Sequence, residues 1–220
     1  MVEGEDLVRL AVAANWQVEA VYVAAGFELT EPFGVPVHEL GPGVIERVAS
    51  TQAPQPVLAV VTPQRAALES LGSAGFVVIG DRIADPGNAG TMLRSAEAAG
   101  ADAVVLTTGS VDVFNPKTVR ASAGALFTVP VVTDVDLGPA LAASPGRSWG
   151  ASSHHGVPYT SVDFVAETVL VVGNEAHGLD PDAPVDGWVT IPHAGRAESL
   201  NVAMATTLLV FEVARQRSAG

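Results

Sequence analysis

The sequence contains no cysteine. That excludes a disulfide framework, a thiolate zinc site and a cysteine nucleophile. No apolar run reaches the ~18 residues that a membrane span needs. The opening MVEGEDLVRL is acidic where a secretion signal is basic, so a cytoplasmic protein is expected. Cations are scarce: 11 Lys and Arg stand against 24 Asp and Glu, a net charge of −13. Phosphate binding ordinarily wants a basic surface, so charge alone argues against a nucleic-acid partner, and any such reading must rest on local sites. The sequence also lacks G-x-G-x-x-G, the phosphate-binding loop, H-E-x-x-H and the G-x-S-x-G nucleophile elbow. The adjacent His154-His155 pair cannot readily place both rings on one metal, and His177 and His193 are expected to line a site at most.

What is present suits a packed fold. With 220 residues, 48% of them hydrophobic and 16% charged, the chain can hold one ordinary domain and a small second one. EDLVRLAVAA (5–14) has helical spacing, VEAVYVAA (18–25) reads as a strand, a short helix covers 43–50 and PVLAVVT (56–62) is a buried strand. A linker helix is expected over 63–74, beginning near Pro63 and stopping on Gly72. From there strands alternate with helices: strands at 76–81, 103–108, 129–132, 168–175 and 188–192, helices at 88–99, 116–124 and 199–217. Continuous apolar strand runs imply a sheet covered on both faces, hence a largely parallel α/β domain over 75–220.

In such sheets ligands gather beyond the carboxyl ends of the strands. Three polar, glycine-bearing segments each follow a strand. In DRIADPGNAGTMLRSAEAAG (81–100), Asn88 is a candidate helix cap and Arg94 lies six residues on. On its own, an isolated Arg there reads as a surface charge. In VVGNEAHGLD (171–180) a buried strand runs directly into Gly173, Asn174 and Glu175, where polar groups are costly without partners. In WVTIPHAGRAESLNVAMATTLLVFEVARQR (188–217), Ser199 is placed to cap a helix and Asn201 falls in its first turn, beside unpaired N–H groups. That helix is apolar almost all round, so a second surface is expected to cover it.

At these three segments the sequence resembles the SpoU (TrmH) branch of the SPOUT methyltransferases over residues 76–220. Residues 1–62 resemble, less closely, the small α/β RNA-recognition domain that often precedes it. In relatives that domain begins further upstream with a basic stretch, so an N-terminally incomplete domain is expected. The resemblance implies a mostly parallel sheet whose C-terminal segment is threaded as a trefoil knot, and a homodimer. It implies S-adenosylmethionine held by Gly173, Ile191 and Leu200, with no metal, and catalytic roles at Asn88, Arg94, Glu175, Ser199 and Asn201. The activity implied is methylation of a ribose 2′-hydroxyl in structured RNA, ribosomal RNA ahead of transfer RNA. A catalytically inactive RNA- or partner-binding domain of the same fold is the competing class, and a generic Rossmann enzyme is weakened by the missing glycine fingerprint.

Arg94 is the group relatives suggest as base, yet guanidinium, with a pKa above ~12, rarely gives up its proton. The expected role is to grip the phosphate beside the target ribose and stabilise the developing oxyanion, a phosphate oxygen or water taking the proton. Asn201 and Ser199 would orient the hydroxyl and Arg94, and Glu175 would fix the loops.

Overall fold

In the computed structural model, which describes residues 1–49, 51 and 53–218, the chain builds two sheets in succession. The first is small and mixed. Its strands are Val2–Glu3 (β1), Val18–Val23 (β2), Val37–Glu39 (β3) and Val57–Val61 (β4), in the order β1-β4-β2-β3, and only β2 and β3 pair in parallel. The helix Glu5–Ala13 (α1) buries Val8 and Ala11 against it, while Ile45–Val48 (α2) is a single turn that buries Ile45.

The second sheet comprises Phe76–Gly80 (β5), Ala103–Thr107 (β6), Val131–Val135 (β7), Arg147–Ala151 (β8), Val157–Pro158 (β9), Thr168–Val172 (β10) and Gly187–Thr190 (β11). The order is β7-β6-β5-β10-β8-β11-β9 and every neighbouring pair is parallel. Strands β5, β6 and β10 are buried at every position, which is why their sequences are apolar without alternation. On one face Val78, Val104 and Leu170 pack with Met92 and Leu93 of helix Pro86–Ala98 (α3) and with Leu209 and Val213 of the last helix. On the other, Val77, Val105 and Val171 pack with Leu71 and Ala140. The shorter helices Pro116–Ala121 (α4) and Leu137–Ala143 (α5) fill the remaining crossovers, and the last helix is Val202–Ser218 (α6). No helix is long and apolar enough to cross a membrane.

Beyond β11 the chain returns past β8 and β10, so that α6 lies against α3 and β10. That return is the crossing on which the expected knot depends. The far end of α6 is latched: Arg217 donates to the carbonyls of Phe164, Ala166 and Gly75 at 3.1, 2.8 and 2.9 Å. Gln216 accepts from Phe164 N and donates to Val162 O.

Several elements differ from expectation. The linker over 63–74 is not an α-helix; it forms a 3-10 helix at Leu68–Ser73 that buries Leu71, and the residues before it are drawn to the sheet, where Ala66 N donates to Val131 O at 2.9 Å. Helix α3 begins at Pro86 because Asp85, not Asn88, is its cap: the Asp85 carboxylate accepts from Asn88 N at 2.9 Å. Helix α6 begins at Val202 because Asn201, not Ser199, caps it, accepting from Ala203 N and Met204 N. Strands β1, β3, β8 and β9 and helix α5 have no counterpart in the sequence reading.

Candidate active site

Strands β5 and β10 lie side by side and parallel, so the segments that follow them emerge at the same edge of the sheet. Glu175, just past β10, reaches across to the loop after β5. Its Oε2 accepts from Ala84 N at 2.9 Å, and its Oε1 from Asp85 N at 2.9 Å and Asn88 Nδ2 at 3.0 Å. Asn88 Oδ1 in turn accepts from Asn201 Nδ2 at 3.0 Å. Glu175, Asn88 and Asn201 therefore form one hydrogen-bonded chain through all three polar segments, ending on the first amides of α6. Desolvation pushes the Glu175 carboxyl upward, but the bonds from Asn88, Ala84 and Asp85 outweigh it and hold the group below the usual glutamate range. Asp85 is likewise lowered, first by its bond from Asn88 N, against some desolvation, with help from Lys117 at 3.2 Å.

Two glycines set how closely these segments approach. A Cβ on Gly173 would stand 2.1 Å from Leu179 N and 2.2 Å from Gly178 C, backbone atoms that cannot swing aside. At Gly90 a Cβ would meet Thr118 O at 2.6 Å, so glycine alone lets α3 lie directly on α4. Gly178 has φ 70°, which turns the chain back to form a bridge with Asn174.

Beside the Glu175–Asn88–Asn201 chain opens a cavity of about 560 Å³, lined by Gly173, Ile191, Leu200 and Ser199 among others. Its apolar lining comes from Val172, Leu179, Val189 and Leu209; its polar lining includes Glu175, Glu198 and four histidines, His154, His155, His177 and His193. The mixture suits a ligand with a flat apolar body and a few polar atoms. One lining atom is waiting for a partner: His193 Nε2 is buried without any hydrogen bond, a condition that a polar ligand atom would relieve. The wall formed by the segment after β8 is held by its own contacts. Ser152 Oγ lies 3.0 Å from His155 Nδ1, and the His155 ring packs on Trp188 at 4.5 Å between centroids. Among the described residues no cluster of His, Asp and Glu could hold a metal ion.

Arg94 stands apart from this cavity, exposed on α3. The expectation that Asn201 and Ser199 orient it is not met. No hydrogen bond joins either to Arg94 among the described residues; Asn201 Nδ2 donates instead to Asn88 and its Oδ1 caps α6. The sequence reading did not give Asp85 its capping role, which follows from its place before Pro86, and named Asn174 without its partners. The side-chain oxygen of Asn174 accepts from Ala176 N and its amide donates to Arg82 O at 2.8 Å. It weighed His154-His155 only as a metal pair and did not place 151–155 in the cavity wall, since the strand leading into it was not recognised.

Comparison with known proteins gives a consistent picture. The sequence model of the SpoU rRNA Methylase family matches residues 75–211, more than half of the chain. A 23S rRNA (guanosine(2553)-2′-O)-methyltransferase from Bacillus subtilis is 35% identical over 222 residues, covering 97% of this chain and 87% of that protein. Among solved structures, the SpoU methyltransferase of Streptomyces viridochromogenes in complex with S-adenosylmethionine superposes with a TM-score of 0.88 at 31% identity, over 99% of this chain and 90% of that one. The S-adenosylmethionine-bound rRNA methyltransferase of Sinorhizobium meliloti gives 0.86 at 30% identity, over 97% and 85%.

Proposed function

The chain belongs to the SpoU rRNA Methylase family and is an S-adenosylmethionine-dependent RNA 2′-O-ribose methyltransferase; on that premise we propose that its substrate is 23S ribosomal RNA, methylated by a cytoplasmic homodimer. The observation that carries the substrate is that similarity to a 23S rRNA enzyme runs through 97% of this chain, the N-terminal sheet included. The homodimer is supported by α6, where Met204, Leu208 and Phe211 stand 59%, 43% and 47% exposed in one helical stripe while Leu209 and Val213 on the opposite side are buried. An apolar stripe of this kind on a helix is the usual mark of a covered surface.

When bound, the cofactor supplies an electrophilic methyl group on a sulfonium. Gly173, Ile191 and Leu200 would hold it, and His193 Nε2 is free to meet one of its polar atoms. The remaining task for the protein is to position a ribose hydroxyl in line and to stabilise the oxygen as its proton leaves. Arg94, exposed and without a partner among the described residues, would grip the adjacent phosphate through its two-pronged guanidinium and face the developing oxyanion. The proton passes to a phosphate oxygen or to water, since guanidinium does not accept it. Ser199 and Asn201 would orient the hydroxyl. Glu175 acts at one remove, holding the loop that carries Asn88 to the loop that carries Gly173.

Two measurements test this reading. Mapping 2′-O-methylation in cells with and without the gene should show one 23S rRNA site lost; loss at a tRNA position instead would overturn the substrate. Arg94→Ala and Arg94→Lys should both lose methyl transfer, by about 10- to 100-fold if one charge-assisted contact of about 1.5–3 kcal/mol is removed from the transition state, with cofactor affinity unchanged. Near-normal turnover by the Lys variant would show that a point charge suffices and that the fork has no role.

A further inference from the structure

Arg82 is the first residue after Asp81 at the end of β5, and its backbone has φ 54°, in the left-handed region where glycine is unstrained and a long side chain is not. The surroundings hold it there. Its amide donates to Thr107 Oγ1 at 2.9 Å and its carbonyl accepts from Asn174 Nδ2 at 2.8 Å. A polar relay then fixes the side chain. Thr107 Oγ1 donates to Asp81 Oδ1 at 2.8 Å, and Asp81 Oδ2 accepts from Arg82 Nε at 3.0 Å. Asp81 is buried, its side chain 9% exposed, while that of Arg82 is 52% exposed. The buried carboxylate thus anchors the Nε edge, and the Nη1 and Nη2 prongs have no hydrogen-bond partner among the described residues. An anchored guanidinium with two free donors has the geometry that receives a phosphate in two parallel bonds.

Its place matters as much as its shape. The loop that begins at Arg82 carries Ala84, Asp85 and Asn88, and the side chain that holds its carbonyl belongs to Asn174, next to Glu175. A phosphate held here would sit at the edge of the reacting site. In a chain of net charge −13, RNA cannot be gathered by a general positive field; individually fixed cations must do it. We propose that Arg82 is a second phosphate clamp for the substrate RNA, a binding residue that acts alongside Arg94 and holds the strand as it passes the end of β5. The proposal rests on the RNA methyltransferase activity stated above.

The alternative role for Arg82 is merely to neutralise buried Asp81, and a pair of variants separates the two. Arg82→Gly suits the backbone but removes the fork. The double variant Asp81→Asn/Arg82→Gly also removes the buried charge, so nothing is left for a cation to neutralise. Methyl transfer to an unmethylated 23S rRNA transcript, cofactor affinity by calorimetry and the salt dependence of transcript binding are measured on the full chain. Both variants are expected to raise KM for the transcript roughly 10-fold and to lower the slope of log affinity against log salt by about 1, the signature of one lost phosphate contact, with cofactor affinity unchanged. A double variant that regains the wild-type KM and salt slope overturns the clamp in favour of charge neutralisation. So does an Arg82→Gly variant whose KM never changes, or one that loses cofactor and transcript affinity together. A wild-type enzyme that leaves the transcript unmethylated refutes the ribosomal substrate, and with it the clamp as stated.

Discussion

Replacing Glu175 with Gln tests the three-segment hydrogen-bond chain at its Glu175 end. The carboxylate accepts three bonds, from Ala84 N, Asp85 N and Asn88 Nδ2, at 2.9, 2.9 and 3.0 Å. A carboxamide has one oxygen. Placed where Oε1 now lies, that oxygen keeps the bonds from Asp85 and Asn88 without the help of a charge, and the amide NH2 then faces Ala84 N, donor against donor. A hydrogen bond to a charged group contributes about 1.5–3 kcal/mol. Glu175 is exposed, so solvent takes up part of the loss, and a net effect of about 1–2 kcal/mol is expected. If that energy holds the loop in its working geometry, kcat should fall about 10-fold. Cofactor affinity should fall less, since Gly173, Ile191 and Leu200 take part in none of the three bonds. Single-turnover methyl transfer, cofactor calorimetry and thermal denaturation supply the three readouts. The pH dependence follows from the direction of the shift. The folded carboxyl is held below its ordinary value, so its contribution is fully present above pH 4.5 and fades as pH falls through the lowered folded value; the Gln variant lacks that component. A variant with wild-type kcat and unchanged melting temperature would refute the view that this chain of bonds organises the site.

Gly173→Ala places its methyl against the backbone of Gly178 and Leu179 and should abolish cofactor binding measured by calorimetry; retention of wild-type affinity would mean the 174–178 turn is not part of the cradle. Phe211→Asp, on the exposed side of α6, should give folded monomers by light scattering and lose activity, whereas wild-type protein that is itself an active monomer at micromolar concentration would defeat the homodimer. Glu212 is held at a pKa of about 2, chiefly by its bond from Arg215, against desolvation and with help from Gln216. Its stabilisation should be complete above pH 4.5 and vanish toward pH 2, so Glu212→Gln should shallow the acid limb of a stability–pH curve, and an unaltered limb would refute the assignment.

The parallel core was legible because β5, β6 and β10 are apolar at every position, a pattern only a doubly covered sheet produces. Strand β8 lies between β10 and β11 yet left no such trace. Its Arg147 folds its guanidinium over Trp149 at 4.2 Å, and its Ser148 is buried only because Asp186 accepts from both its amide and its hydroxyl. Gly150 is required because Trp188 and Leu179 pack over it. The contacts with Asp186, Leu179 and Trp188 come from residues 29 to 38 positions away, and local pattern cannot register them. The same holds for the site. Asn88, Glu175 and Asn201 were nameable as polar residues after strands, but their mutual bonds span 87 and 113 positions. The caps were misplaced by two or three residues for a related reason: Asn88 and Ser199 are good capping types, but Asp85 and Asn201 are the residues whose carbonyl and side chain meet the first free amides.

The latch at the end of α6 has a consequence for biosynthesis. A ribosome delivers the chain from its N-terminus at about 5–20 residues per second, so β5 and β10 are made before the segment at 191–201 that closes the cavity, and Arg217 is made after both. Its bonds to Gly75, Phe164 and Ala166 tie the last turn of α6 to the start of β5 and the approach to β10. The nascent protein therefore has a sheet before it has a cavity, and becomes able to take up its cofactor only once α6 has crossed back over the sheet and been fastened there. Translation arrested at successive lengths should show cofactor protection against proteolysis arriving in one step, late, rather than growing with the chain.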